Sequence, residues 1–124
     1  MNRDKIKILI VDDEAELLEM YREIFELDGF DVFTADSASV GLETYKNNKE
    51  IKLIISDSNM RDMSGIQFLK SLKEAYETIP LFYLTTGSLD QSEENVKNLG
   101  GHGLVLKPFD VDEILLKIRH DLKL

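Results

Sequence analysis

The chain has no cysteine among its 124 residues. That excludes disulfides and thiolate zinc sites, and leaves the compartment open. Histidine is nearly as scarce: His102 and His120 stand far apart, without metal-ligand spacing. No apolar run approaches the roughly 20 residues a membrane helix needs. The start, Met1-Asn2-Arg3-Asp4-Lys5, leads straight into a strand-like run, with no signal-peptide pattern. A cytoplasmic protein without membrane insertion is expected. Two phosphate-binding loops are missing as well, Gly-x-x-x-x-Gly-Lys-Ser/Thr and a Gly-x-Gly-x-x-Gly after the first strand. Gly100-Gly101-His102-Gly103 precedes a strand, the wrong setting for a dinucleotide site. Basic residues are in deficit, 15 against 24 acidic, for a net charge of −9. Such a surface does not suit phosphate backbones, so no direct nucleic-acid contact is expected. It suits a cation site or a basic partner, and it also serves simply to keep a protein monodisperse.

What is present is short-range apolar order. The hydrophobic fraction is 43%, in runs of a few residues, and the length predicts one domain over residues 1–124. Lys5 to Val11 reads as a first strand. A helix follows to about Leu27, with Leu17, Leu18, Tyr21, Ile24 and Phe25 at helical spacing, Asp13 as its cap and Gly29 as its stop. Asp31 to Ala35 alternates and reads as an edge strand. Ser37 can cap a helix to about Asn47, with Val40, Leu42 and Tyr45 as its apolar positions. Lys52 to Ser56 is the third strand. Ser64-Gly65-Ile66-Gln67 is a capping box opening a helix to about Tyr76, with Ile66, Phe68, Leu69 and Leu72 inward. Leu81 to Thr85 is the fourth strand. A weak helix, Asp90 to Leu99, has Val96 and Leu99 as its anchors. Leu104 to Leu106 is the fifth strand, and Asp110 to Glu113 is a second capping box before a stripe of Ile114, Leu115, Ile118 and Leu122. Strand and helix alternate five times, which predicts a parallel sheet covered on both faces. The continuous apolar runs of strands one, three, four and five predict burial on both sides.

Four of these strands end in polar residues: Asp12-Asp13, Asp57, Thr85-Thr86 and Lys107. In a parallel sheet those ends share one rim, where ligand chemistry concentrates. Carboxylates brought together are costly unless a cation offsets them. Mg2+ accepts oxygen ligands and works beside phosphate. A carboxylate next to such a metal can act as a nucleophile and form an acyl phosphate, with lysine and hydroxyl groups receiving the phosphoryl oxygens. The residues alone therefore suggest phosphoryl transfer onto an aspartate.

Val11-Asp12-Asp13-Glu14, Ser56-Asp57-Ser58-Asn59-Met60 through Gly65, Leu84-Thr85 and Leu106-Lys107-Pro108-Phe109 together resemble the receiver domain of two-component response regulators, over the whole chain. The resemblance implies a flavodoxin-like (βα)5 fold, a five-stranded parallel sheet of order 2-1-3-4-5 with helices on both faces. It implies that Asp57 is the phosphoacceptor. Asp12, Asp13, Asp57 and the backbone carbonyl of Asn59 would hold Mg2+. Thr85 would be the switch hydroxyl, Lys107 would pair with the phosphoryl group, and Lys107-Pro108 would be a cis peptide. The partners implied are a histidine kinase or histidine phosphotransfer protein and an unknown downstream protein. The chain would be a monomer or a phosphorylation-dependent dimer. It would not be a conventional enzyme, though it would catalyse its own phosphorylation and slow autodephosphorylation.

Three positions depart from the pattern. Leu104 stands where the family commonly has Tyr or Phe, so the usual aromatic readout is altered. Arg61 stands where proline is usual, which predicts a less rigid loop. Thr86 replaces a small residue, and its bulk is expected to slow loss of the phosphoryl group. Thr85, Thr86 and Leu104 are thus the expected switch and output positions. A phosphorelay intermediate or phosphate sink is the alternative that Leu104 suits, and a constitutive docking module is a third. The last helix nearly reaches the C-terminus, so no output domain is expected within the chain. His102 reads as an exposed turn residue, and the methionines as core or loop filler.

Overall fold

A computed structural model of the chain describes residues 5–87, 91–107 and 110–124. Strands and helices alternate: β1 (Lys7–Val11), α1 (Ala15–Leu27), β2 (Asp31–Ala35), α2 (Ala38–Asn47), β3 (Leu53–Asp57), α3 (Gly65–Ala75), β4 (Leu81–Thr86), α4 (Glu93–Asn98), β5 (Gly103–Leu106) and α5 (Val111–Asp121). All strand pairs are parallel, in the order β2-β1-β3-β4-β5. This is the expected flavodoxin-like fold, with β2 at an edge. β5 is the other edge, as that order implies, and it is buried only in part, which corrects the expectation of burial on both sides. Leu106 is 47% exposed. An apolar run of that length does not reveal how much of an edge strand its neighbours cover.

The side-chain alternation of the strands divides the interior in two. Leu9, Val11, Ile54, Phe82 and Leu84 meet Tyr45 of α2, Phe68, Leu69 and Leu72 of α3, and Val96 of α4. On the other face Ile8, Ile10, Leu53, Ile55 and Tyr83 meet Leu18, Tyr21 and Phe25 of α1 and Ile114 and Ile118 of α5. Full burial of one such side chain contributes about 1.5–3 kcal/mol, against about 1 kcal/mol for a helix cap. Packing therefore decides where α1 sits. Its N-cap is Glu14, with no side-chain cap bond. Asp13 does not cap it. Asp12 serves that end instead, its Oδ1 accepting the Glu14 N–H at 2.9 Å.

Local signals hold where their partners are close in sequence. Ser64 and Gln67 form both arms of the capping box. Ser37 accepts the Val40 N–H. Gly29 takes φ of +98° after α1, a conformation that a side chain disfavours. Other expectations need correction. Of the apolar positions of α2, Tyr45 is buried together with Ala38 and Gly41, whereas Val40 is 45% exposed. Asp110 caps α5 through the Asp112 N–H, not through a Glu113 box. α4 starts after a Ser92 cap, and the expected start at Asp90 lies outside the described residues. Among the described residues, no helix is long and apolar enough to cross a membrane.

Candidate functional site

Alternation puts four polar residues on one face of the rim. Ile8 and Ile10 face α1 and α5, so Asp12 follows them. Leu53 and Ile55 lead to Asp57 in the same way, Tyr83 to Thr85, and Val105 to Lys107. The ladder sets their height: Val11 pairs with Ser56, Asp57 with Thr85, and Thr86 with Leu106. Two backbone bonds extend the register past the strand ends, Asp12 N–H to the Ala35 carbonyl at 3.1 Å and Lys107 N–H to the Thr86 carbonyl at 2.8 Å.

Three carboxylates and one ammonium come together at this rim. Carboxylate oxygens of Asp12, Asp13 and Asp57 lie within 4.8 Å of one another. The Lys107 ammonium is 3.1 Å from Asp57 Oδ1 and 3.4 Å from Asp12 Oδ2. Asp12 is 2% exposed. Asp57 Oδ1 also accepts the Ser58 N–H at 2.9 Å. Burial pushes the Asp57 pKa up, the Lys107 hydrogen bond and charge oppose it, and the Asp12 charge adds to it. Burial alone would lower the Lys107 pKa, but the charge of Asp12 and the bond and charge of Asp57 outweigh it and raise it. When ionised, three carboxylates face one ammonium in this cluster, an excess of negative charge. An all-oxygen donor set with that excess fits a hard divalent cation such as Mg2+.

The other expected residues are placed as follows. Thr85 is 3% exposed, and its carbonyl accepts the Ser58 N–H at 2.8 Å. Thr86 is 1% exposed and lies on the opposite sheet face, where its Oγ1 accepts from the Ser58 hydroxyl at 3.1 Å. Leu104 packs partly against the α2–α4 core, and its N–H donates to Glu93 Oε2 at 3.3 Å. Asn59 is exposed and bridges Ser64 in an isolated antiparallel pair. Arg61 is exposed. Pro108 and Phe109, and with them the expected cis peptide, lie outside the described residues.

Several residues take part in the structure without a readable signal in the sequence. His102 is not an exposed turn residue: it is half-buried, and its Nδ1 accepts the Phe82 N–H at 3.0 Å. Ser58 carries the bond to Thr86, for which the only signal was its position one past Asp57. Asp62 bonds the start of α2, and no local pattern announces a partner 23 residues away.

The family profile described as "Response regulator receiver domain" matches residues 8–119. The chain is 34% identical over 113 residues to the transcriptional regulatory protein CpxR homolog of Haemophilus influenzae, covering 91% of this chain and 48% of that protein. It is 33% identical over 121 residues to the transcriptional regulatory protein YvrH of Bacillus subtilis, covering 97% and 50%. The chain thus spans about half the length of the curated relatives it matches. Among solved structures, a response regulator receiver domain protein from Clostridium thermocellum superimposes with a TM-score of 0.87 at 27% identity, over 95% of this chain and 94% of the other.

Proposed function

Since the chain belongs to the response regulator receiver domain family, we propose that Asp57 is its phosphoacceptor and that residues 1–124 act as one receiver unit. A carboxylate oxygen of Asp57 attacks the phosphorus of a phosphohistidine on a partner kinase or phosphotransfer protein. The P–N bond breaks, its electron pair stays on the imidazole nitrogen, and an acyl phosphate forms on Asp57. Water later cleaves it, returning the carboxylate and inorganic phosphate. Lys107 offsets the charge that the phosphoryl oxygens bring, and Thr85 donates its hydroxyl to one of them. Asp12, Asp13, Asp57 and the Asn59 carbonyl would hold Mg2+, which when bound neutralises developing charge on the transferring group.

The observation that carries this reading is the Lys107 ammonium between Asp57 and Asp12, at 3.1 and 3.4 Å, beside a third carboxylate. Incubation with Mg2+ and phosphoramidate tests it. The intact mass should rise by one phosphoryl group in the wild type and not in Asp57→Asn. No gain in the wild type, with either the small donor or a histidine kinase, refutes the reading. The phosphoryl charge then biases two conformations and changes a protein-binding face around α4 and β5.

A second reading is favoured by Leu104, which has no ring to couple to Thr85. The domain would then pass or drain phosphoryl groups without changing partner affinity. Transfer from phosphorylated Asp57 to a second histidine-containing protein, at unchanged affinity for downstream partners, would select it. A constitutive docking role would require Asp57→Asn to keep full function in cells.

A further inference from the structure

The loop between β3 and α3 has Arg61 where the resemblance calls for proline, and so lacks a ring that fixes its φ. It is fastened in another way. Asp62 reaches the first turn of α2, where Oδ1 accepts the Ala38 N–H at 3.1 Å and Oδ2 accepts the Ser39 N–H at 2.8 Å and the Ser39 hydroxyl at 2.6 Å. These amides have no partner within the helix, and the helix dipole favours a carboxylate beside them. The Ser39 bonds and the Ala38 bond hold the Asp62 pKa down to about 2, so it is ionised throughout the neutral range.

The anchor point is itself tightly packed. Ala38 is fully buried, and Gly41 packs so closely that a Cβ would lie 3.1 Å from both Phe68 and Val11. Val11 is the last residue of β1, directly before Asp12. Within the loop, Met60 is buried in the α2–α3 core and Asn59 bridges Ser64. The backbone that carries Asn59 is therefore held by Asp57 on one side and by Asp62 on the other.

We infer that Asp62 is a positioning residue for the acceptor site: it clamps the β3–α3 loop to α2, stands in for the missing proline, and holds the Asn59 carbonyl toward the three carboxylates. The inference rests on the proposed function, which makes that carbonyl a metal ligand. A plain helix cap would change only the stability of α2. The clamp also sets the geometry of the loop.

Calorimetric titration with Mg2+ separates the two. The proteins are the wild type, Asp62→Ala, and Asp62→Ala combined with Arg61→Pro, at a temperature where circular dichroism shows all three folded. Amide exchange of the loop is followed in parallel without metal. Asp62→Ala should weaken Mg2+ binding by about tenfold, the low end for losing a group that orients a ligand, and should speed exchange in residues 58–64. Adding Arg61→Pro should recover most of the affinity. Wild-type Mg2+ affinity in folded Asp62→Ala overturns the inference, even if its melting temperature falls. Failure of proline to recover affinity overturns the claim that the clamp replaces the ring. A wild type that does not bind Mg2+ at all fails the proposed function instead, and the first titration shows it.

Discussion

Lys107 and Asp57 form an ion pair at 3.1 Å across residues fifty positions apart, and the same ammonium stands 3.4 Å from Asp12. One cation thus serves two carboxylates that the sheet has already taken out of water.

Lys107→Ala should leave both acids without their counter-charge. The expected cost is about 2 kcal/mol, below the value for fully buried pairs, because the lysine side chain is 23% exposed. The pH dependence follows from Asp57. Its pKa is raised by burial, and loss of Lys107 raises it further. The penalty should be full above that raised pKa and fade as the pH falls through it and the carboxyl protonates. Urea melts of both proteins from neutral pH down into the acid range check this. Mg2+ at about a hundredfold excess over its Kd should stabilise the wild type by about 2.7 kcal/mol, and a chelator should remove the gain.

Gly65 opens α3 directly behind the acceptor. A Cβ there would stand 2.4 Å from the Asp57 carbonyl oxygen and 2.5 Å from Leu84 Cδ1. A backbone oxygen cannot swing aside as a flexible side chain does. Gly65→Ala should cost about 1–3 kcal/mol in denaturant melts and slow phosphoryl uptake by about tenfold or more through displacement of Asp57.

Thr86 faces away from Asp57 and bonds the Ser58 hydroxyl. If this bond steadies the segment after the acceptor, its loss matters more than a change of volume. Thr86→Ala and the volume-conserving Thr86→Val should both lose the phosphoryl group about fivefold faster than the wild type, the worth of one hydrogen bond. Thr86→Ser should stay close to it. Wild-type behaviour of the valine variant would assign the effect to bulk, and equal decay in the alanine variant would remove it.

His102 should make stability depend on pH at the opposite end of the sheet. Burial and the Lys73 charge lower its pKa. Protonation would remove the Nδ1 lone pair that accepts the Phe82 N–H. A folded pKa below the unfolded one means that the contribution is full above the unfolded pKa and is lost as pH falls through the folded one. Melts of His102→Ala and the wild type should differ by about 1 kcal/mol near pH 8 and converge in acid.

Legibility in the sequence tracked the distance to the partner. The Ser64–Gln67 box and the Gly29 stop depend on neighbours within one turn, and both were readable. The rim was readable because period-two alternation and a parallel sheet carry Asp12, Asp57, Thr85 and Lys107 to one face without further information. β5 was placed correctly at the edge, but its short apolar run misled on burial, because the run does not show how far neighbouring elements cover it. The bonds of Asp62 to α2, of Ser58 to Thr86 and of His102 to Phe82 span 20 to 28 residues, and no local pattern encodes them. Asp13 looked like a cap, but Asp12 took the bond at the helix start.

The central claim is that a phosphoryl group is carried on Asp57 itself. Borohydride reduction of the phosphorylated protein, followed by peptide mass mapping, tests it most directly, because an acyl phosphate is reduced to an alcohol and aspartate becomes homoserine. Homoserine is expected at position 57 and nowhere else, only after treatment with Mg2+ and donor. Homoserine at Asp12, Asp13 or another acid, or a phosphoryl label that survives on a protein with Asp57 unreduced, would contradict it.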